Sequence, residues 1–339
     1  MKAAVLYANE DIRFDDCAEP VIDSESVIIK VKAAGICGSD IPRVLYGKAH
    51  GYPAVLGHEF SGEIVEIGKN VKTLNVGERA AGAPLIPCMR CEVCVSGWYA
   101  LCKHYDFIGS RRQGAFAEYV KLPAANAVRF DDNITYEQGA FFEPSTVALH
   151  GLRTAGFTGG KTAAVLGGGT IGAFVLQWLK IFGAASVSVF DISGERLELC
   201  RQLGADHIFN TRASPLPECA FDYIFETAGS VTTMQSAFSL AAPKASVCFI
   251  GTPTEDLVFG PELFENLNRK EFSLTGSWMS YSAPFPGEEW RLTAHYFKTG
   301  QLKFPRELIF KTFGLNGCKE AFDLFKTPGA VGGKILFVM

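Results

Sequence analysis

The chain is predicted to be an α/β protein built from a mostly β domain and a doubly wound parallel-sheet domain. Three observations support this. Short apolar alternations broken by glycine turns fill the first part; strand-length apolar runs alternate with helix-length segments from about Lys161; short strands return after about Ala283. The expected boundaries are 1–147, 148–283 and 284–339, with the last stretch rejoining the first domain. A chain of 339 residues is long enough for two domains, each with its own core.

In the first domain, Ser26-Val27-Ile28-Ile29-Lys30-Val31-Lys32 and Gly62-Glu63-Ile64-Val65-Glu66-Ile67-Gly68 read as strands between glycine turns. In the second, Thr162–Leu166, Ser186–Phe190, Tyr223–Glu226 and Ser246–Ile250 are apolar strands of a sheet covered on both faces. The first of them leads into a helix over Ala173–Phe182. The closing run Gly333-Lys334-Ile335-Leu336-Phe337-Val338 is the tail strand. Homo-oligomers are common among soluble enzymes, so a dimer or tetramer is expected, for which a strand such as Ser246–Ile250, if exposed, could extend its sheet across a two-fold axis.

Composition narrows the function. A net charge of −4 lacks the basic footprint of a nucleic-acid binder. No apolar run approaches the ~18 residues of a membrane helix, so no membrane partner is expected. The start MKAAVLYANEDIRFDD has no basic segment followed by an apolar run, so no signal peptide is read and a cytoplasmic location is expected. Cys17, Cys200, Cys219, Cys248 and Cys318 are scattered without a disulfide pattern and are expected to be reduced and buried.

Four other cysteines, Cys88, Cys91, Cys94 and Cys102, are spaced C-x2-C-x2-C-x7-C. Four thiolates this close surround one ion, as in a closed, structural zinc site. A ferredoxin-type iron–sulfur run would place its fourth cysteine three residues after the third, before a proline; here seven residues intervene and Lys103 follows. Upstream, Cys37 and His58 with a carboxylate offer a second, mixed-ligand site that leaves one position for water or substrate, the arrangement of catalytic zinc. Each residue alone is equally a small buried hydrophobe or a core histidine. Cobalt or manganese also suits such a donor set.

The first parallel strand runs into Gly167-Gly168-Gly169-Thr170-Ile171-Gly172, a G-x-G-x-x-G at a strand-to-helix turn, the mark of a Rossmann dinucleotide site. Gly167 permits the turn, Gly169 lets backbone approach a pyrophosphate, and Gly172 lets helix pack on strand. The amides at Thr170 and Ile171 open the helix toward the phosphates. Asp191 ends the next strand nineteen residues after Gly172, where a carboxylate accepts from an adenosine ribose and repels a 2′-phosphate. NAD is therefore expected rather than NADP, with Arg196 near the adenine or simply solvated.

Taken together, these motifs and their order resemble the zinc-dependent medium-chain alcohol and polyol dehydrogenases over essentially the whole chain. Gly35-Ile36-Cys37-Gly38-Ser39-Asp40 resembles the family's first zinc ligand with its hydroxyl neighbour, and Gly57-His58-Glu59 the second ligand with its adjoining carboxylate. Phe142-Glu143-Pro144 is similar to the sorbitol-dehydrogenase branch, which carries glutamate at this position. The resemblance implies a GroES-like fold for the first domain and a nicotinamide in the cleft between domains. It also implies catalytic zinc on Cys37, His58 and Glu143, with Glu59 as a direct, transient or supporting ligand.

Tyr105-Asp106-Phe107-Ile108-Gly109-Ser110-Arg111-Arg112 and Gly276-Ser277-Trp278-Met279-Ser280-Tyr281-Ser282 resemble the family's polyol-phosphate branch, whose members oxidise a sugar-alcohol phosphate to a ketose phosphate. The chain departs from the family at Pro42-Arg43, where a proton-relaying histidine often replaces the proline. Ser39 and the cofactor ribose would then hand the proton directly to water.

The expected reaction is hydride transfer from a secondary alcohol to NAD+, since Zn2+ lowers the pKa of a bound water from above 15 to about 7 and acts similarly on an alcohol. Ser39 is the expected first proton acceptor and Glu59 a second catalytic group. A phosphorylated polyol needs a cationic recess, for which Arg43, Arg111 and Arg112 are candidates unless they are surface charge, while Trp278 and Tyr281 either line the substrate site or pack between domains. The alternative substrate is an unphosphorylated polyol, sorbitol or xylitol, or L-threonine. A non-catalytic dinucleotide-binding protein would have lost the inner ligands, which are present here.

Overall fold

Strand Ser26–Gly35 is buried along nearly its whole length, which suits the centre of a sheet. In the computed structural model, which describes residues 1–327 and 329–339, it pairs antiparallel with Glu59–Ile67 on one side. On the other side Tyr119–Pro123 takes its first half and Lys334–Val338 its second. Arg79–Gly82, Ala127–Arg129 and Ile309–Phe313 complete this seven-stranded sheet. A smaller sheet places Lys2–Ala8 between Asp11–Asp16 and Ala54–Val55. The core between the elements of this unit gathers Val5, Val31, Ile64, Phe116, Phe322 and Phe337.

The chain divides into one unit of Met1–Glu143, Tyr281–Gly300 and Phe304–Met339 and another of Pro144–Ser280 and Gln301–Lys303. These divisions fall a few residues before the positions 147 and 283 expected from composition. The last stretch is not built of short strands alone: Glu288–Lys298 is a helix burying Trp290, Thr293 and Phe297, a helical spacing that the strand reading overlooked.

The second unit is a six-stranded, all-parallel sheet. Its order is His207–Asn210, Ser186–Asp191, Thr162–Leu166, Phe221–Glu226, Ala241–Phe249 and Ser273–Gly276. Both edge strands went unread because they are short, polar and poorly buried. The Ser246–Ile250 run consequently lies inside the sheet, flanked on both sides, and is not the exposed strand anticipated; among the described residues the edge strands are His207–Asn210 and Ser273–Gly276. The helix after the glycine turn spans Thr170–Ile181, starting three residues earlier than expected because Gly169 already serves as its N-cap.

No cysteine is in a disulfide among the described residues. Cys200, Cys248 and Cys318 are buried as expected, but Cys17 is half-buried and Cys219, in a polar loop, is exposed. Among the described residues no helix is long and apolar enough to cross a membrane.

Candidate metal and cofactor sites

The cysteine lobe is a loop held at its base by the pair Leu85–Ile86 and Asp106–Phe107. The loop turns tightly at Cys91, the N-cap of the short helix Glu92–Val95, so Cys91 and Cys94 point to the same spot. Sulfur separations are 3.4 Å for Cys91–Cys94, 3.9 Å for Cys91–Cys102 and 4.0 Å for Cys88–Cys94. Zinc–sulfur bonds of about 2.3 Å in a tetrahedron place the sulfurs about 3.8 Å apart, so the cluster has the size of a zinc site. Backbone N–H groups of Arg90 and Cys91 lower the Cys88 thiol to about 6, whereas burial pushes Cys94 up to about 12.

The inner donors come from two segments. Cys37 leaves the end of strand Ser26–Gly35, and Glu59 opens the strand paired with it, the register setting Gly35 opposite Glu59. Donor atoms of Cys37, His58 and Glu59 all lie within 4.8 Å of one another. His58 and Glu59 are buried, while Cys37 is partly exposed beside an exposed Ser39, which leaves an open approach for water or substrate.

Asp40 orients this group. Its Oδ2 accepts a hydrogen bond from the Cys37 N–H at 3.1 Å, and its Oδ1 lies 3.5 Å from Nδ1 of His58. A carboxylate facing one imidazole nitrogen leaves the other to ligate, the usual support of a metal-bound histidine. Burial works against charging His58, but the Asp40 carboxylate and the Cys37 thiol outweigh it and raise its pKa well above the ordinary value.

Glu59 has a second partner that sequence reasoning missed. Lys334 Nζ lies 2.7 Å from Oε1 and 2.6 Å from Oε2 of Glu59, from a strand 275 residues away. Glu143, in the first turn of helix Phe142–Thr154, stands outside the tight set of three donors. Burial, then Glu59, pushes its carboxyl up to about 7. Asp40, Glu59 and Glu143 thus bring three carboxyls together with the Cys37 sulfur and the His58 imidazole, beside Lys334 and Arg43. A divalent cation fits that donor set.

The substrate candidates separate. Arg43, four residues after Ser39 on helix Asp40–Leu45, donates to the Ser39 carbonyl at 2.7 Å and to Ser39 Oγ at 2.9 Å, and lies 3.5 Å from Asp40 Oδ1. Its guanidinium is therefore turned into the site. Arg112 pairs with Asp106. Arg111 lies over the Tyr105 ring, 4.3 Å from its centroid. Trp278 is 55% exposed. Tyr281 is core instead: its hydroxyl accepts from the Leu85 N–H at 2.8 Å and its ring stacks on Phe285, so it does not line an open substrate site.

In the second unit the glycine turn is sterically determined. A Cβ on Gly172 would lie 1.8 Å from the Gly167 carbonyl oxygen, and Gly167 has φ +110°. Gly169, by contrast, faces open space, with nothing within 4 Å of an added Cβ. The helix N-terminus at Thr170 and Ile171 has no side-chain cap, so its amides remain available to an anion. Asp191 accepts from the Gly168 N–H at 2.7 Å and from the Ser193 N–H at 2.8 Å, and Arg196 lies 3.9 Å from its Oδ2. An open cradle, free amides and a carboxylate at the end of the neighbouring strand fit a dinucleotide.

Residues 23–132 match the family model of the alcohol dehydrogenase GroES-like domain and residues 170–295 that of the zinc-binding dehydrogenase. The chain belongs to the zinc-binding alcohol dehydrogenase family and is an oxidoreductase. It is 40% identical to galactitol 1-phosphate 5-dehydrogenase of Escherichia coli K12 over 100% of both chains. The crystal structure of galactitol-1-phosphate dehydrogenase from Escherichia coli superimposes with a TM-score of 0.95 at 36% identity, covering 100% of each chain. An alcohol dehydrogenase of Escherichia coli CFT073 in complex with NADH gives a TM-score of 0.90 at 29% identity, covering 100% of this chain and 99% of that one.

Proposed function

We propose that the protein oxidises a secondary alcohol of a polyol phosphate, of the galactitol 1-phosphate type, to a ketose phosphate with NAD+ as hydride acceptor. The observation that carries this reading is the 40% identity, over 100% of both chains, to galactitol 1-phosphate 5-dehydrogenase. Zinc is assigned to both clusters: Cys88, Cys91, Cys94 and Cys102 would hold a structural ion, and Cys37, His58 and Glu143 would hold the catalytic one, with Glu59, whose donor atom lies beside those of Cys37 and His58, as a further ligand or a supporting group. When bound at the inner site, zinc supplies the Lewis acidity that lowers the pKa of the substrate hydroxyl.

The chain's own groups do the rest. Ser39 is exposed beside Cys37 and accepts the hydroxyl proton through a hydrogen bond. Because Ser39 Oγ already accepts from Arg43 at 2.9 Å, its own hydrogen is free to point elsewhere. Arg43 has no acceptor, so it cannot relay the proton onward as a histidine would, and the proton leaves toward water. Asp40 holds His58 in the orientation that ligation needs. In the second unit Gly169, the amides of Thr170 and Ile171, and Asp191 receive the dinucleotide, Asp191 favouring NAD over NADP.

Homo-oligomerisation through the free edge at Ser273–Gly276, where Leu274 is 42% exposed, completes the reading, along with a cytoplasmic location for the reduced cysteines. The test is NADH formation with galactitol 1-phosphate, galactitol, sorbitol and L-threonine, each with and without prior chelation. Chelator-sensitive turnover favouring the phosphorylated polyol is expected. Equal or better turnover of a free polyol or threonine would overturn the phosphate part of the reading and leave the zinc chemistry standing.

A further inference from the structure

A cavity of about 250 Å3 opens in the first unit beside His50, Tyr52, Ser110, Arg111, Arg112 and Gln113. No carboxylate lines it. We propose that this cavity is the recess for the substrate's phosphate, with the Arg111 guanidinium as its fixed anchor and the His50 imidazole as its second donor. The inference rests on the polyol-phosphate reading above and specifies where that phosphate is held.

Commitments of the three candidate arginines single out Arg111. Arg43 is turned toward Ser39 and Asp40, and Arg112 is paired with Asp106. Arg111 has no carboxylate partner among the described residues; one face of its guanidinium rests on Tyr105 while its N–H edge stays uncommitted. That edge is the planar fork that engages two phosphate oxygens together. His50 stands within the field of both neighbouring cations. Burial first, then the charges of Arg111 and Arg43, hold its pKa below the ordinary value, so two cations act on a lining that contains no acidic residue. A phosphate dianion would be attracted by those charges.

Backbone contacts tie the recess to the inner metal site. The Phe107 carbonyl accepts from the N–H groups of Arg111 and Arg112 at 2.9 and 3.1 Å. The ring of the same Phe107 packs edge-on against His58 with centroids 5.4 Å apart. The Ala115 N–H, beyond the arginine turn, donates to the Gly57 carbonyl at 2.9 Å, next to His58. The anchor is therefore fixed relative to a metal ligand through one residue, as a group that positions one end of a chain-like substrate must be.

The experiment uses the zinc-loaded full chain and its variants R111A, R111K, R112A and H50A. Galactitol 1-phosphate and galactitol are the substrates, and binding of inorganic phosphate is followed by calorimetry. For R111A we expect KM for the phosphorylated polyol to rise by about tenfold to a hundredfold, as for loss of a charge-assisted pair, and the preference for galactitol 1-phosphate over galactitol to fall by a similar factor. R111K should fall between R111A and the parent, H50A should lose severalfold, and R112A should cost no more than about threefold. Phosphate binding should weaken in parallel in R111A.

If the parent turns over galactitol 1-phosphate and R111A matches it in KM, the recess is wrong while the substrate reading stands. If the parent turns over no phosphorylated polyol, the substrate reading itself fails. In that case phosphate binding that disappears in R111A would still support an anion recess, and phosphate bound equally well by R111A, or not bound by the parent, would overturn it. Unchanged thermal melting of R111A and R111K shows that a loss is not misfolding.

Discussion

Lys334 and Glu59 form a buried ion pair across the first unit, Nζ lying 2.6 and 2.7 Å from the two carboxylate oxygens with both side chains under a tenth exposed. The pair joins the tail strand to the strand that begins at the inner metal donors, so it couples closure of the sheet to the charge balance of the site. Removing one partner of such a pair strands the other charge in a low dielectric.

K334M is therefore expected to destabilise the protein by about 3–5 kcal/mol in urea denaturation, and the double change K334M/E59Q to recover much of that loss. K334R, which keeps the charge, should cost less than K334M. If K334M unfolded at the same urea concentration as the parent, the pair would have no structural weight.

The cysteine lobe should behave as a closed structural site. C94S is expected to lower the zinc content from two ions per chain to one by elemental analysis and to make the loop between Cys88 and Cys102 sensitive to protease. Burial first, then the neighbouring Cys91 and Cys102, push the Cys94 thiol up to about 12, so an ion bound there must displace its proton. Retention of both ions by C94S would remove the lobe from the metal assignment.

Local spacing made this lobe legible in the sequence, because its four sulfurs meet within one short loop and need no knowledge of the rest of the fold. The glycine turn with Asp191 was legible for a similar reason, both lying on consecutive strands of one sheet. Lys334 was not, because its partner lies 275 residues away and an isolated lysine in an apolar strand has no motif. Arg43 carried a signal that went unused: it stands four residues after Ser39, the helical spacing at which side chain and backbone meet, which explains why it faces Ser39 rather than the substrate's far end. One sheet edge was misassigned because Ser273-Leu274-Thr275-Gly276 carries a single large apolar residue and gives no strand pattern, leaving the more apolar Ser246–Ile250 as an apparent edge.

Two glycines of one motif should respond differently. G172A places a Cβ against the Gly167 carbonyl oxygen and is expected to destabilise the second unit by more than about 2 kcal/mol, seen as a lower melting temperature with or without cofactor. G169A meets nothing within 4 Å and should leave melting within about 0.5 kcal/mol of the parent, yet weaken NAD binding by about tenfold or more, because the added methyl occupies the approach of the pyrophosphate. NAD titration by fluorescence against thermal melting separates the two. Equal affinity for NAD in G169A and the parent would place the dinucleotide elsewhere.

Proton competition at the inner site should make zinc uptake depend on pH. With the ion removed, His58 is held well above its ordinary value by Asp40 and Cys37 against burial, and Glu143 is raised to about 7 by burial and then by Glu59. A group whose pKa is raised keeps its proton to higher pH, and a ligand must shed that proton before it can bind the ion. Zinc affinity is therefore expected to climb as pH rises from 6 to 8, by up to about tenfold per pH unit for each proton displaced, and to fall as the solution is acidified. Competition with a zinc-binding dye at pH 6, 7 and 8 measures the slope. E143Q, which has no carboxyl proton to lose, should bind zinc more weakly at pH 8 and with a slope shallower by close to one proton near pH 6 and by about half a proton averaged over pH 6 to 8. An E143Q slope equal to that of the parent would assign the raised carboxyl no part in holding the metal and transfer the third ligand to Glu59.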